Sequence, residues 1–341
     1  MKKEIQILST FELTREQQER FRKASDRVKL IVIPTNDPDA ISDEIWAETD
    51  VLYTWDVLPD SEKVPLLKWV QFGGAGVDFF MQSSLAQKED ILLTSMSGVI
   101  TSQLAEYVVM ALLALGHKMP ELMHIQADHH WLTEKEMTAR VMPVELRGST
   151  VGILGYGSIG RQVARLLQPF GAEILAAKRD VMHPEDTGYI PEGMGDPNGD
   201  FFTRLYPMEA LNSMLSVCDF VVVTLPLTDA TRHLLGQEAF EAMKETAYLV
   251  NVGRGAVIDE QAMIAALKAG KFAGAALDVF EVEPLPEESP LWDLENVFLS
   301  SHVSWLSRNL QEETLALFLE NLNRYMAGLP LYNQVDLKKG Y

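Results

Sequence analysis

Residues 154–180 read LGYGSIGRQVARLLQPFGAEILAAKRD. Gly155, Gly157 and Gly160 have the spacing G-x-G-x-x-G, and each glycine has a mechanical reason to be there. The first permits a tight turn, the second lets the backbone approach a pyrophosphate, and the third lets helix and strand pack closely. Ile159, Val163, Leu166, Leu167 and Phe170 follow on one helical face, which seats the helix on a sheet. Its first amides, from Ser158 and Ile159 onward, then point toward a phosphate. Taken alone the motif also occurs in methyltransferases and in loops without a ligand. Preceded by VGIL and followed by a helix, it predicts a dinucleotide site.

An NAD-binding unit of this kind ends its second strand in Asp or Glu, which accepts hydrogen bonds from both ribose hydroxyls. Here the strand from Ile174 to Ala177 runs into Lys178 and Arg179. A lysine supplies a point charge and an arginine a planar fork of donors, which suits a 2′-phosphate. This favours NADP (NADPH), with NAD possible. A second reading stands beside it: both cations are solvated strand-end residues, and Asp180 slides in as the acid.

The elements that must hold such a site are legible in the hydrophobic pattern. EIQIL, VKLIVIP, DVLYTW, LKWVQF and ILLTS alternate with amphipathic stretches in the first hundred residues, the rhythm of a small parallel α/β domain. A helix is expected from about Thr101 to Lys118. From Leu146 a second series begins: VGILGYG, AEILAA, DFVVVTLP, AYLVNVG, FAGAALDVF and NVFLSSH. After His302, QEETLALFLENLNRYMAGLP reads as a strongly amphipathic helix ended by Gly328 and Pro330. The expectation is an α/β chain of two domains. A discontinuous substrate domain spans 1–100 and 303–341, a dinucleotide-binding domain spans 101–302, and ligands bind in the interdomain cleft. Residues 181–207, rich in Gly and Pro and without period, read as a long surface loop: a family-specific insertion, or alternatively a lid or subunit contact.

Composition narrows the partners. The chain has 341 residues, 47% of them hydrophobic, which suits two domains. Its formal charge of −20 opposes binding to nucleic acid or anionic lipid. Its beginning, MKKEIQILSTFELTREQQER, lacks the pattern of an export signal, and LAEYVVMALLALG is too short to span a bilayer. The single cysteine, Cys218, excludes an intrachain disulfide or a cysteine metal cluster, fits a reducing cytoplasm, and reads as a small core residue.

NVGRGAVIDE at 251–260, GAALDVFEVEPLP at 274–286 and SPLWDLENVFLSSH at 289–302 follow in order after ELRGSTVGILGYGSIG and TLPLTDATRHLL. With GGAGVD at 73–78 they resemble the D-isomer-specific 2-hydroxyacid dehydrogenases. The resemblance implies two flavodoxin- or Rossmann-like domains with parallel sheets, exchange of a hydride between a nicotinamide and a 2-keto or 2-hydroxy acid, and a homodimer. It places the catalytic arginine on Arg254, the glutamate on Glu283 and the histidine on His302. Physical chemistry suits each. Arg254 can bond the carboxylate and ketone oxygens of a 2-keto acid, His302 can deliver a proton, and Glu283 can fix its tautomer and stabilise the imidazolium. The resemblance also puts substrate contacts at Ala75 and Gly76, where a nest of amides would capture a carboxylate. It puts cofactor contacts at Thr101, Leu225, Pro226, Val252 and Asp278, the last accepting from the nicotinamide amide.

Three departures accompany this match. The family's Pro-His pair is Ser301-His302, the following residues are VSW, and the acid after the second strand is missing. Trp55, Trp131 and Trp305 are candidates either for the substrate pocket or for core and interface packing. The leading expectation is an NADPH-preferring reductase of a 2-keto acid such as glyoxylate, hydroxypyruvate or a larger aliphatic analogue. Other readings on the same scaffold are a nucleotide-sensing, corepressor-like interaction protein and a phosphite or formate dehydrogenase. The formate enzymes pair their histidine with Gln, against which Glu283 counts.

Overall fold

Short runs of β-branched and aromatic residues, separated by amphipathic stretches, form two parallel sheets. A computed structural model describes residues 4–88 and 90–339. The chain divides into two compact units, Met1–Ile100 with Ser307–Tyr341, and Thr101–Leu306.

In the first unit, β1 (Ile5–Ser9), β2 (Val28–Val32), β3 (Val51–Thr54), β4 (Trp69–Phe72) and β5 (Leu92–Thr94) form a sheet of order β2-β1-β3-β4-β5, with every pairing parallel. The helices α1 (Arg15–Ala24), α2 (Asp43–Glu48) and α3 (Asp78–Met81) lie along the connections. Thr14 and Gln17 close a capping box at the start of α1, which satisfies two backbone donors reciprocally.

The second unit begins with α4 (Thr101–Gly116), α5 (Met119–Ala127) and α6 (Glu134–Arg140). The helix expected to reach Lys118 stops at Gly116. A Cβ there would stand 2.5 Å from the Val144 carbonyl oxygen, and Lys118 turns the chain with a φ of 57°. Among the described residues no single helix is long and apolar enough to cross a membrane. The strands are β6 (Thr150–Leu154), β7 (Glu173–Ala177), β8 (Arg204–Tyr206), β9 (Phe220–Val223), β10 (Tyr248–Asn251), β11 (Gly274–Leu277) and β12 (Val297–Leu299). Helices α7 (Ser158–Leu167), α8 (Leu211–Leu215), α9 (Gln237–Ala242) and α10 (Glu260–Lys268) connect them in a sheet of order β12-β11-β10-β9-β6-β7-β8. FVVV of β9 and YLVN of β10 are buried along their whole length, as parallel strands covered on both faces must be. Cys218 lies in this core, its Sγ donating to the Met214 carbonyl oxygen, and burial pushes its thiol up to about 12.

The last helix, α11 (Leu310–Ala327), belongs to the first unit. Phe318 stacks on Tyr53 with ring centroids 4.5 Å apart and also meets Phe21 and Trp69. Buried Asn321 donates to Gln71 Oε1 at 3.1 Å, so this helix is held by a polar bond as well as by aromatic packing.

One strand, β8, falls inside the segment expected to be loop. Residues 181–203 are irregular, but they are pinned to α7 rather than lying loose on the surface. Gln162 Oε1 accepts the N–H of Gly195 at 2.7 Å, and Arg165 Nε donates to the Gly195 carbonyl oxygen at 2.7 Å.

Candidate active site

The order of the second sheet reverses between β6 and β9, and the loops that leave these strands come together there. Gly155 has a φ of 95°, and a Cβ on it would stand 3.1 Å from Leu225 N. A Cβ on Gly160 would stand 2.3 Å from the Gly155 carbonyl oxygen, so the helix can seat this closely only on glycine. Gly253, after β10, approaches Leu225 in the same way, and Val252 beside it is buried. Thr224 Oγ1 donates to the Gly155 carbonyl oxygen at 2.7 Å, and Thr231 Oγ1 to that of Pro226, also at 2.7 Å.

Gly157, the N-cap of α7, carries no side-chain cap, and nothing lies within 4 Å of where its Cβ would be. An open cradle of backbone at the positive end of a helix fits the pyrophosphate of a dinucleotide. Gly155 N donates to the Ala177 carbonyl oxygen at 2.9 Å, which sets the end of β7 next to this cradle. Lys178 comes next, partly buried, its Nζ donating to the His183 carbonyl oxygen at 2.6 Å. Burial and the charge of Arg161 hold its pKa below the usual lysine range. Arg179 is exposed. The Asp180 carboxylate is taken up by its own turn, accepting the Met182 N–H at 3.0 Å and meeting His183 Nδ1 at 2.8 Å.

Three later loops bring the charged residues together. A Cβ on Gly255 would stand 1.8 Å from the Phe280 carbonyl carbon, so the turn carrying Arg254 lies directly on the segment leading to Glu283. Arg254 Nη1 donates to the Gly253 carbonyl oxygen at 2.9 Å, which orients the guanidinium. His302 Nδ1 and Glu283 Oε2 are 2.8 Å apart, and Glu283 Oε1 accepts the Phe280 N–H at 3.0 Å. Burial opposes ionisation of Glu283. The bonds to His302 and Phe280 and the charges of His302 and Arg254 outweigh it and hold the carboxyl below its ordinary range. A cavity of about 460 Å³ opens beside the pair, walled by Phe280, Leu285, Trp292 and Leu299.

His302 has a φ of 51°, a conformation that needs support in a non-glycine residue. Asp278, fully buried after β11, supplies it. Its carbonyl oxygen accepts the His302 N–H at 2.8 Å. Its carboxylate accepts the Val303 N–H at 2.8 Å, the Ser304 N–H at 3.0 Å and the Ser300 hydroxyl at 2.6 Å. Ser300 in turn bonds the hydroxyl of Tyr107, whose pKa burial pushes up to about 12.

Residues 109–304, more than half the chain, match the family described as "D-isomer specific 2-hydroxyacid dehydrogenase, NAD binding domain". The chain belongs to this family. Among relatives of the dehydrogenase, the glyoxylate reductase of Aeropyrum pernix is 32% identical over 294 residues, covering 82% of this chain and 81% of that protein. Among solved structures, a D-isomer specific 2-hydroxyacid dehydrogenase from Xanthobacter autotrophicus in complex with NADPH and MES is 28% identical. It aligns over 99% of this chain and 100% of that one with a TM-score of 0.79. An NADPH-dependent glyoxylate/hydroxypyruvate reductase from Sinorhizobium meliloti, in complex with NADP and sulfate, is 26% identical with the same coverage and TM-score.

The remaining candidates are spread over the dehydrogenase. Thr101 opens α4, and its hydroxyl lies 4.0 Å from Met194 Sδ. Ala75 and Gly76 lie in the first unit, both partly exposed, on the turn after β4. Trp131 is 88% exposed, Trp55 38%, and Trp305 is partly buried.

Reading by motif missed Arg161, in the first turn of α7. Its side chain is only 2% exposed; Nη1 donates to the Asp196 carbonyl oxygen at 2.5 Å, Nη2 donates to that of Pro184, and Nε is 3.5 Å from Asp186 Oδ2. Asp196 is itself buried and accepts the hydroxyl of Tyr156, the residue between the first two glycines, at 2.6 Å. The segment between β7 and β8 is thereby fastened to the glycine turn. An arginine on a helix normally reads as a solvated residue, and the only sequence signal was its place directly after the third glycine.

Proposed function

We propose that this dehydrogenase reduces a small 2-keto acid to the D-2-hydroxy acid, with NADPH as the preferred cofactor and NAD as a possible one. The observation that carries the chemistry is the 2.8 Å contact between His302 Nδ1 and Glu283 Oε2. With Nδ1–H directed at the carboxylate, Nε2 is the nitrogen that exchanges a proton with substrate.

The cofactor, when bound, supplies the hydride. The chain's residues do the rest. Arg254 binds the carboxylate and carbonyl oxygens of the keto acid and polarises the ketone. His302 donates its Nε2 proton to the carbonyl oxygen as that oxygen becomes an alkoxide, and takes it back in the oxidation direction. Glu283 stays ionised and stabilises the imidazolium that precedes donation. In the first unit, the backbone amides around Ala75 and Gly76 are the proposed carboxylate contacts. Gly155, Gly157, Ser158, Ile159 and Gly160 are the proposed pyrophosphate contacts. Thr101, Leu225, Pro226, Val252 and Asp278 are proposed around the nicotinamide and its ribose.

The cofactor preference is supported by Lys178 and Arg179 at the end of β7 and by the engagement of the Asp180 carboxylate within its own turn. A homodimer belongs to the same reading. It is supported by Met119, Leu122, Met123, Trp131, Met137 and Met142, which are exposed within one short stretch of the chain.

The test is loss of NADPH absorbance with a panel of 2-keto acids. Turnover of at least one member, faster with NADPH than with NADH, is the expected result. Tight NADPH binding with no member turned over would sink the catalytic reading.

A further inference from the structure

The turn after β7 is closed by three contacts that lie outside the glycine motif. Lys178 Nζ donates to the His183 carbonyl oxygen at 2.6 Å, Asp180 Oδ1 accepts the Met182 N–H at 3.0 Å, and Asp180 Oδ2 lies 2.8 Å from His183 Nδ1. Residues 178–183 thus form a closed loop with the His183 imidazole at its surface, 69% exposed. The loop starts next to Ala177, whose carbonyl oxygen is bonded by Gly155 N. In a doubly wound fold with this glycine turn, that is the place of the adenosine ribose.

An acid that selected NAD would offer both carboxylate oxygens to the ribose hydroxyls. Asp180 spends one oxygen on a backbone N–H and the other on an imidazole. We infer that Asp180 acts in the opposite sense: it holds His183 as a third cationic donor, beside Lys178 and Arg179, for the 2′-phosphate of NADPH. The inference rests on the NADPH reading above and adds a residue and a pH dependence to it.

The chemistry is that of a phosphate monoester met by three donors of different kinds. Lys178 keeps N–H bonds beyond the one given to the His183 carbonyl oxygen, Arg179 offers its fork, and His183 offers Nε2–H while Nδ1–H stays on Asp180. The charges that act on His183 come from this turn and from Glu185 just after it. Asp180 and Glu185 favour its protonated form, burial and Lys178 oppose it, and the balance holds its pKa above the ordinary histidine value. The positive charge is therefore present at low pH and is lost as pH rises through that raised value.

Calorimetric titration of the full chain with NADPH and with NADH, at about pH 6.5 and about pH 8.5, tests this apart from turnover. Wild type should prefer NADPH more strongly at the lower pH. His183→Ala should weaken NADPH binding at the lower pH by about three- to tenfold, as for an exposed charge-assisted bond, and leave NADH unchanged. Asp180→Asn should shift the pH dependence of NADPH binding to lower pH. Equal binding of the two cofactors by wild type would remove the NADPH reading, and this inference with it. A clear wild-type preference that His183→Ala leaves intact at both pH values would overturn the role of His183 alone. Selective loss of NADH binding in Asp180→Asn would overturn the role of Asp180.

Discussion

Asp278 Oδ1 accepts the N–H of Val303 at 2.8 Å, and Val303 is the residue directly after His302. With the bonds from Ser300 and Ser304, this carboxylate grips the turn on both sides of the histidine. Asp278→Asn replaces one acceptor by a donor that faces N–H groups. The expected result is a loss of about 1–3 kcal/mol in denaturant unfolding. Turnover should also fall by more than NADPH affinity does, measured as kcat against the calorimetric Kd. A loss confined to cofactor affinity would instead assign Asp278 to the nicotinamide alone.

His302→Ala removes the proposed proton donor and nothing from the cradle at Gly157. Turnover should fall about 10²- to 10⁴-fold while NADPH still binds with nearly wild-type affinity. Stopped-flow reduction together with fluorescence titration reads both.

Glu283→Gln keeps a hydrogen-bond acceptor for His302 but removes the charge. Because the wild-type carboxyl is held below its ordinary value of 4.5, it is ionised throughout the neutral range. Its contribution is then lost only as pH falls through that lowered value. Because this carboxylate stabilises the imidazolium, the fall in kcat for reduction with rising pH should come at lower pH in the variant than in wild type, so the gap widens as pH rises. A pH profile unchanged from wild type would contradict the assigned role.

Asp196→Ala leaves the Tyr156 hydroxyl and the N–H groups of Asp200 and Phe201 without their acceptor. A destabilisation of about 1–3 kcal/mol is expected, since one buried hydroxyl and two less buried N–H groups lose the same acceptor. Limited proteolysis should then cut within residues 184–200, where wild type resists.

At the start of α6, Thr133 and Glu136 form a capping box, and the bonds from Thr133 and His130 hold Glu136 down at about 2. The folded pKa lies below the ordinary value of 4.5, so the stabilisation is present above that value and is lost as pH falls toward about 2. Thr133→Ala should bring the loss of α6 to higher pH, followed by amide exchange of residues 134–140.

Much of this molecule could be read from its residues. Runs such as FVVV and YLVN announce buried parallel strands because both faces must be apolar, and all five strands of the first sheet coincide with β-branched runs. His302 and Glu283 were legible through motif order, and they meet at hydrogen-bond distance. What escaped was long-range and polar. RLY, only three residues after an irregular segment, has no period to mark it as β8; it becomes a strand because β7 offers an edge. Arg161 and Asp196 look like solvated residues until the segment between β7 and β8 folds back over α7. Asp180, the alternative candidate for a ribose acid, has the geometry of a turn residue bonding the N–H two positions on, a contact its place in the sequence did not mark.

The segment between β7 and β8 is held by Arg161, Gln162 and Arg165, three neighbouring positions on one helix, and it reaches the glycine turn through Tyr156. Lock and key are therefore encoded some thirty residues apart. Replacing this segment would remove both carbonyl acceptors of the Arg161 guanidinium and the carboxylate that receives the Tyr156 hydroxyl. Substitutions in the two stretches should be tolerated only in matched sets, which makes this segment inseparable from the nucleotide-binding helix it covers.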